Sequence, residues 1–402
     1  MNIYIFSALR KVNRHIKKRR KDRAGQIMSP VRRIEFVAPP KQRMCAMTFD
    51  DGPTAGLTSQ LLDSLKKYNA SAAFDVIGST AENYPDTQGA LGSHYVFGTK
   101  YDHYSSFGKD DEAGALACPD LLKRIADEGH EIANHGYRHI LFGPEYYVYR
   151  KREYFRSIDE VVSDLQRLHD LVKSQTGYEI KMARPPHYVD RISSKISRKY
   201  SAYTAYGKMG YHYMAASIDG GGWLPSCGDY NKDVQKMVEP LKDMLEADPN
   251  SLSGAVIFQK DGYNMSMEAP VADALGLQLS LLAGYGYKVV GVGELLKNSP
   301  FEDVPADDEG FEAIRSLDEA GYCIGFQNNR FKPDEYITAE QLEAMCTLRS
   351  DYIARTCRDR QPLTPDGVAR IVTNRLGQCG PVSASVKGVT RRDAAMAIYY
   401  RA

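Results

Sequence analysis

Cys45-Ala46-Met47-Thr48-Phe49-Asp50-Asp51-Gly52-Pro53 decides how the rest of the chain is read. Its first five residues are a short apolar run of strand-forming character, and it breaks into two adjacent acids and a Gly-Pro turn. Neighbouring carboxylates at a strand end repel each other, so one needs a cation and the other a hydrogen-bond donor or a raised pKa. A solvated Asp-Asp-Gly turn is the plain alternative. Working outward, further strand-like runs are 72–77, 254–258 and 287–292. Helical three-to-four spacing of apolar residues marks 59–68, 119–128, 158–174 and 269–283. Such βα alternation predicts an α/β domain with a mainly parallel sheet or barrel.

Two stretches interrupt that alternation. Residues 86–117 are rich in Gly, Tyr and Asp and follow neither period, which predicts an insertion loop in which Tyr95, Tyr101, His103 and Tyr104 are candidates for substrate contact. After Ser299-Pro300 the pattern turns to short helices separated by turns, marking a domain boundary. Thr338, Thr364 and Thr390 each precede a helical run at a spacing of 26 residues, and a threonine hydroxyl there predicts an N-cap for three equivalent helices. The expected organisation is a basic extension over 1–41, a catalytic domain over 42–298 and a small all-α domain over 300–402.

The acids at 50 and 51 have a counterpart in Asn134-His135-Gly136-Tyr137-Arg138-His139. Imidazoles four residues apart share one face if the segment is helical, a metal-ligand spacing. Two histidines and one carboxylate would leave positions open for a water and a substrate oxygen, as in a catalytic metal site. The metal would polarise a carbonyl and acidify the water, and the second carboxylate would take its proton.

Together these residues resemble the polysaccharide deacetylase family, the NodB-homology domains of carbohydrate esterase family 4. The resemblance rests on Thr48-Phe49-Asp50-Asp51-Gly52-Pro53, the 134–139 motif, 70–78, 127–132 and Arg184-Pro185-Pro186-His187-Tyr188, and it covers roughly 44–296. It implies an irregular (β/α) barrel and a metal-dependent hydrolase removing N-acetyl groups from a polysaccharide such as peptidoglycan. Zinc would be the metal, or another divalent ion such as cobalt, nickel or manganese. Asp50 is implied as the catalytic base, Arg184 as the residue orienting it, and Asp51, His135 and His139 as metal ligands. Pro186, His187, Tyr188 and Trp223 are implied at the substrate, with backbone N–H groups near Tyr188 holding the oxyanion.

Two positions depart from the family pattern. Asp219-Gly220-Gly221-Gly222-Trp223 keeps the tryptophan but has Gly222 where the family has an acid, and Phe258-Gln259-Lys260 puts Lys260 where the family has its general-acid histidine. An amide nitrogen leaves only if it is protonated. Three readings stay open: Lys260 donates that proton, His187 has moved into the role, or the donor is missing and the protein binds metal and glycan without turnover. For Lys260 a surface lysine on a strand edge is the plain alternative. A hydrolase of a small C–N substrate is a further alternative.

The C-terminal region resembles one S-layer homology repeat through 301–305, 313–317, 321–325 and 329–334, with Thr390-Arg391-Arg392-Asp393 approaching that family's Thr-Arg box. The resemblance implies anionic wall polymer as a partner, against a purely structural helical cap. Composition excludes a membrane-spanning or largely unfolded chain. Of 402 residues 43% are hydrophobic and 26% charged, with no apolar run long enough for a span. The net charge of +1 hides a local +10 over residues 10–33, which include Lys17-Lys18-Arg19-Arg20-Lys21, read as a solvated extension and not as a nucleic-acid site. Seven cysteines without a CxxC pattern predict mostly reduced, buried thiols. The resemblances point to the cell surface, whereas the apolar stretch Ile3 to Leu9 precedes the basic run, the reverse of an export signal, so a cytoplasmic location stays open.

Overall fold

The computed structural model describes residues 25–79, 113–143, 155–190, 202–224, 226–264, 266 and 268–401. The basic run 17–21 and Tyr95, Tyr101, His103 and Tyr104 of the expected insertion lie outside these. Two compact units are present, one over Ile34–Asn298 and the other from the described residues up to Arg33 together with those from Ser299 onward.

The chain enters through β1 (Ile27–Met28) and β2 (Arg33–Ile34). β3 (Met44–Asp50) is buried at every residue, as a continuous apolar run covered on both faces should be. Then follow α1 (Thr58–Lys67), β4 (Ala73–Val76), α2 (Pro119–Asp127), β5 (Glu131–Asn134), α3 (Ile158–Thr176) and β6 (Met182–Ala183). The unit is completed by α4 (Ala202–Met209), β7 (His212–Met214), β8 (Ile218–Asp219), α5 (Tyr230–Ala247), β9 (Val256–Lys260), α6 (Pro270–Gly284), β10 (Lys288–Val290) and α7 (Val292–Asn298). The sheet order is β2-β7-β6-β5-β4-β3-β9-β8, with β10 also on β3. The pairings of β3 with β4, β9 and β10, of β4 with β5 and of β8 with β9 are all parallel. The fold is thus mixed α/β, a curled parallel sheet open between β2 and β8. β5 with β6 and β6 with β7 are parallel as well, so β3 to β7, β9 and β10 run one way and the loops leaving β3, β5, β6 and β9 meet at one rim. An open parallel sheet offers its binding crevice at that carboxyl end.

Local chemistry sets the helix ends. Ser157 accepts from the Glu160 N–H at the start of α3, and Gly177 closes it at φ +74°; Asp229 accepts from the Lys232 N–H at the start of α5.

The second unit contains α8 (Phe311–Glu319), α9 (Ala339–Met345), α10 (Pro365–Leu376) and α11 (Arg391–Tyr399) around a core that includes Phe301, Phe326, Phe331, Leu342 and Ile398. The threonine caps form as the spacing predicts: Thr338, Thr364 and Thr390 accept from the N–H groups of Gln341, Gly367 and Asp393, and Asp393 returns the favour to Thr390 in a capping box. The unit is not purely helical, because β11 (Arg355–Thr356) pairs antiparallel with β1. The units also divide elsewhere than at residue 41. Arg32 is buried in the second unit, donating to Asp318 (2.8 Å), the Pro300 carbonyl (2.7 Å) and Asn329 (3.0 Å), while the Val37 N–H already belongs to the first, donating to Gly254. None of the seven cysteines forms a disulfide, and five of them are buried. No helix among the described residues is long and apolar enough to cross a membrane.

Candidate metal centre

Asp50 ends β3 and Asp51 begins the turn, with a backbone at φ +79° that an aspartate seldom adopts. Gly52 follows because a Cβ there would lie 1.9 Å from a carboxylate oxygen of Asp261, leaving no room for a side chain. This turn aims the two acids differently. Asp50 points to Arg184, and Asp51 points to the two histidines and to Lys260.

The histidine segment is a loop after β5, not the helix its spacing suggested. The Gly136 N–H turns back onto the Asn134 side chain (3.0 Å), Gly136 takes φ +85° and His139 takes φ +51°. Asp164 of α3 pins the loop by accepting from the Tyr137 N–H (2.7 Å) and the Arg138 Nε (2.9 Å), and Asn134 donates to the Leu165 carbonyl. The result still brings both imidazoles to one point: Nε2 of His135 and of His139 lie 3.2 and 3.0 Å from Asp51 Oδ1. Nδ1 of His135 faces the Arg184 carbonyl at 2.9 Å. A carbonyl only accepts, so that nitrogen carries a proton, and Nε2 is the atom left to meet an ion once its own proton is displaced. Two imidazoles and a carboxylate oxygen converging in this way fit a divalent cation of intermediate softness, and Asp51, His135 and His139 form a group that could hold one.

Arg184 follows β6, is 1% exposed, and donates to Asp50 and, at 3.0 Å, to Thr48 Oγ1. Burial works against its charge, but Asp50, then Tyr188 and Asp75, more than offset this and raise its pKa. Burial pushes the Asp50 carboxyl up to about 7, with Arg184 opposing and Asp75 adding to the rise. For Asp51 the balance falls the other way: burial is outweighed by Lys260 and His139, which hold it well below the usual carboxylate range. His135 is raised well above an ordinary imidazole, since Asp75, Asp50 and Asp51 together outweigh burial.

Lys260 ends β9 in register with Asp50, is 3% exposed, and places its ammonium on Asp51 Oδ2. It is neither at a strand edge, since β9 lies between β3 and β8, nor at the surface. His187 is exposed, with its ring 5.3 Å from that of His139, and Pro186 is buried beside it in a single tight turn, Pro186–Tyr188. Tyr188 lies beside the Arg184 guanidinium, 5.5 Å from its ring centre, but its N–H donates to the Pro185 carbonyl, so that group is already engaged. Trp223 donates to Asp219 at 3.1 and 3.2 Å. Gly222 sits at φ +85° with Met237 3.0 Å from where a Cβ would be, so an acid at this position would be strained.

Sequence reasoning missed Asp75, Asp164 and Asp261. Asp75 and Asp261 are fully buried, and burial raises Asp261 to about 7 although the Thr58 hydroxyl donates to it. The available signal was an acid inside or next to an apolar strand run, as in Phe74-Asp75-Val76.

Residues 38–206 match the family model described as polysaccharide deacetylase. Over 153 residues the chain is 29% identical to peptidoglycan-N-acetylmuramic acid deacetylase PdaC of Bacillus subtilis, a match covering 38% of this chain and 23% of that protein. A peptidoglycan-N-acetylglucosamine deacetylase of Bacillus cereus is 30% identical over 152 residues, covering 38% of this chain and 39% of the relative. The chitin deacetylase of Colletotrichum lindemuthianum is 24% identical over 261 residues, or 64% and 81% of the two chains. Among solved structures, PdaC covers 64% of this chain and 92% of its own at 23% identity and a TM-score of 0.42. A family pseudoenzyme from Bacillus anthracis covers 67% and 69% at 16% identity and a TM-score of 0.44. The family model and the curated relatives thus support a polysaccharide deacetylase domain, and the chain spans well under half the length of the first two curated relatives. The matched segment contains Asp50, Asp51, His135, His139 and Arg184 and ends before Trp223 and Lys260.

Proposed function

We propose that this protein is a metal-dependent hydrolase that removes N-acetyl groups from an N-acetylglucosamine-containing glycan or peptidoglycan, with Lys260 as the proton donor. The observation that carries this reading is the convergence of Asp50, Asp51, His135, His139, Arg184 and Lys260 at one strand-end rim. Asp51, His135 and His139 would hold the ion, zinc or a similar divalent metal, which when bound polarises the acetyl carbonyl and makes a water more acidic. Arg184 holds the Asp50 carboxylate in place, and Asp50 takes the proton of the attacking water. The C–N bond then breaks as Lys260 gives a proton to the nitrogen, yielding acetate and a free amine on the sugar; Lys260 is reprotonated as Asp50 releases the proton it took. His187 stands beside His139 on the exposed side and Tyr188 beside Arg184, with Pro186 fixing the turn that carries them, and in this reading they and Trp223 meet the sugar.

A second reading, a glycan-binding protein of the cell wall that holds metal without turnover, is favoured by the ammonium of Lys260 on a ligand carboxylate and by the backbone at Gly222, where an acid would be strained and crowded. Acetate release from N-acetylglucosamine oligomers and peptidoglycan by metal-loaded protein separates the two. A hydrolase releases acetate and stops when the metal is chelated, whereas a binder retains the glycan and releases nothing.

For the unit from Ser299 the reading is structural. The arginine in its Thr-Arg box, Arg391, is fully buried and donates to the Phe331 (2.6 Å) and Ile324 (2.7 Å) carbonyls, so it is not presented to an anionic polymer. Wall-polymer binding by this unit would have to use other residues, and a pull-down on purified wall polymer with Arg392→Ala tests whether its half-buried neighbour, now paired with Asp308, Glu309 and Asp334, serves instead.

A further inference from the structure

Asp75 sits in the middle of β4, between Phe74 and Val76, and is fully buried. Its register partner on β3 is Asp50. A carboxylate in such a place is costly to the fold unless it is paired. Its Oδ2 lies 3.2 Å from Nδ1 of His135 and 3.9 Å from Nε of Arg184. Apart from these charge contacts neither oxygen has a hydrogen-bond partner among the described residues. Arg184 is already met by Asp50 and Thr48, so it does not need Asp75 to complete its hydrogen bonds. The nearer contact is to the inward nitrogen of His135, whose outward nitrogen faces Asp51.

We propose that Asp75 is a positioning residue of the metal centre: it accepts the Nδ1 proton of His135, sharing it with the Arg184 carbonyl, and so fixes the ring with Nε2 toward the ion. This rests on the metal-centre reading given above. A carboxylate behind a ligating histidine orients the ring and makes its free nitrogen a better donor, and losing such a partner weakens metal binding by about 10–100-fold. The same burial that makes Asp75 costly for folding makes its charge effective at the ring.

The test measures zinc and cobalt(II) affinity of the full chain, by chelator competition and the cobalt absorption spectrum, together with thermal melting. Wild type is compared with Asp75→Asn, which keeps an accepting oxygen, and Asp75→Val, which suits a buried strand. The expected order of affinity is wild type, then Asn, then Val about 10–100-fold weaker, with an altered cobalt spectrum and a melting temperature for Val equal to or above wild type. A residue that only balances Arg184 would leave metal affinity unchanged, and equal affinity in all three proteins overturns the inference while the metal centre stands. If both variants unfold, Asp75 serves the fold and the positioning role is overturned. If wild type itself binds no metal, the reading of the site falls and this inference with it.

Discussion

Arg184 and Arg391 are both buried arginines in sequence motifs that suggest ligand contact, and the structure gives them opposite work. Arg184 meets a carboxylate, Asp50, at the end of a strand whose next residue faces two histidines. Arg391 meets the backbone carbonyls of Phe331 and Ile324 and the Gln341 side chain, with the Phe326 and Phe331 rings 4.7 and 4.9 Å from its guanidinium. With no carboxylate bonded to it among the described residues, Arg391 is brought down to about 10 by burial, whereas Arg184 is raised. Within this pair the partner, and not the burial, decides the work: Arg184 holds the carboxylate proposed to react, and Arg391 ties turns together.

The sharpest way to break this contrast is at Asp50. Asp50→Asn keeps an acceptor for Arg184 but cannot take a proton, so acetate release should fall by about 10²–10⁴-fold in a protein that still folds, with some loss of melting temperature because the Arg184 charge loses a partner. An equal loss of folding and activity would put Arg184 in the same class as Arg391. Arg391→Met strips two carbonyls of their donors and should cost about 2–4 kcal/mol in a denaturant titration, with zinc affinity unchanged. A loss of metal binding in that variant would contradict the division of labour.

How much of this was legible in the sequence depends on the distance over which each feature is decided. β3 and the threonine caps follow from a few consecutive residues, and they formed as read. The His135 to His139 segment shows where local reading stops. The four-residue spacing puts both rings on one face if the segment is helical, yet Gly136 and the Asn134 side chain turn the chain into a loop pinned by Asp164, a residue 25 positions beyond His139. Lys260 was open to reading as a surface lysine because nothing in Phe258-Gln259-Lys260 says that β9 is central or that its last residue lies beside Asp50. Register between distant strands is likewise what hid Asp75, and the buried path of Arg391 is set by two carbonyls sixty and sixty-seven residues upstream.

Smaller effects sharpen the comparison further. Asp50 is held at about 7 by burial against the pull of Arg184, so a base that works as its anion should give activity that rises with pH through that region. Arg184→Gln removes the pull, and the acid limb of the pH–rate profile should move up by about 1–3 units. A limb that stays in place would mean that Arg184 does not act on Asp50. Stability carries its own pH signature away from the site. His130 is buried, its Nδ1 accepts from the Ala72 N–H, and burial lowers it to about 4. Its folded pKa lies below the unfolded value of about 6.5, so its contribution is intact above that value and is lost as pH falls toward 4. The loss is on the order of 3 kcal/mol, and His130→Asn, which keeps an acceptor in a similar place, should flatten the melting curve over this window. Thr390→Ala should be the mildest change, costing about 1 kcal/mol by opening the capping box.

The central claim is that Lys260 completes a hydrolytic site, and the most direct measurement is acetate release from N-acetylglucosamine oligomers with metal content determined on the same samples of wild type and Lys260→Met. The account predicts release by the metal-loaded wild type and its loss in Lys260→Met with the metal still bound. A wild type that carries its metal and releases no acetate, or a Lys260→Met protein as active as wild type, would contradict it.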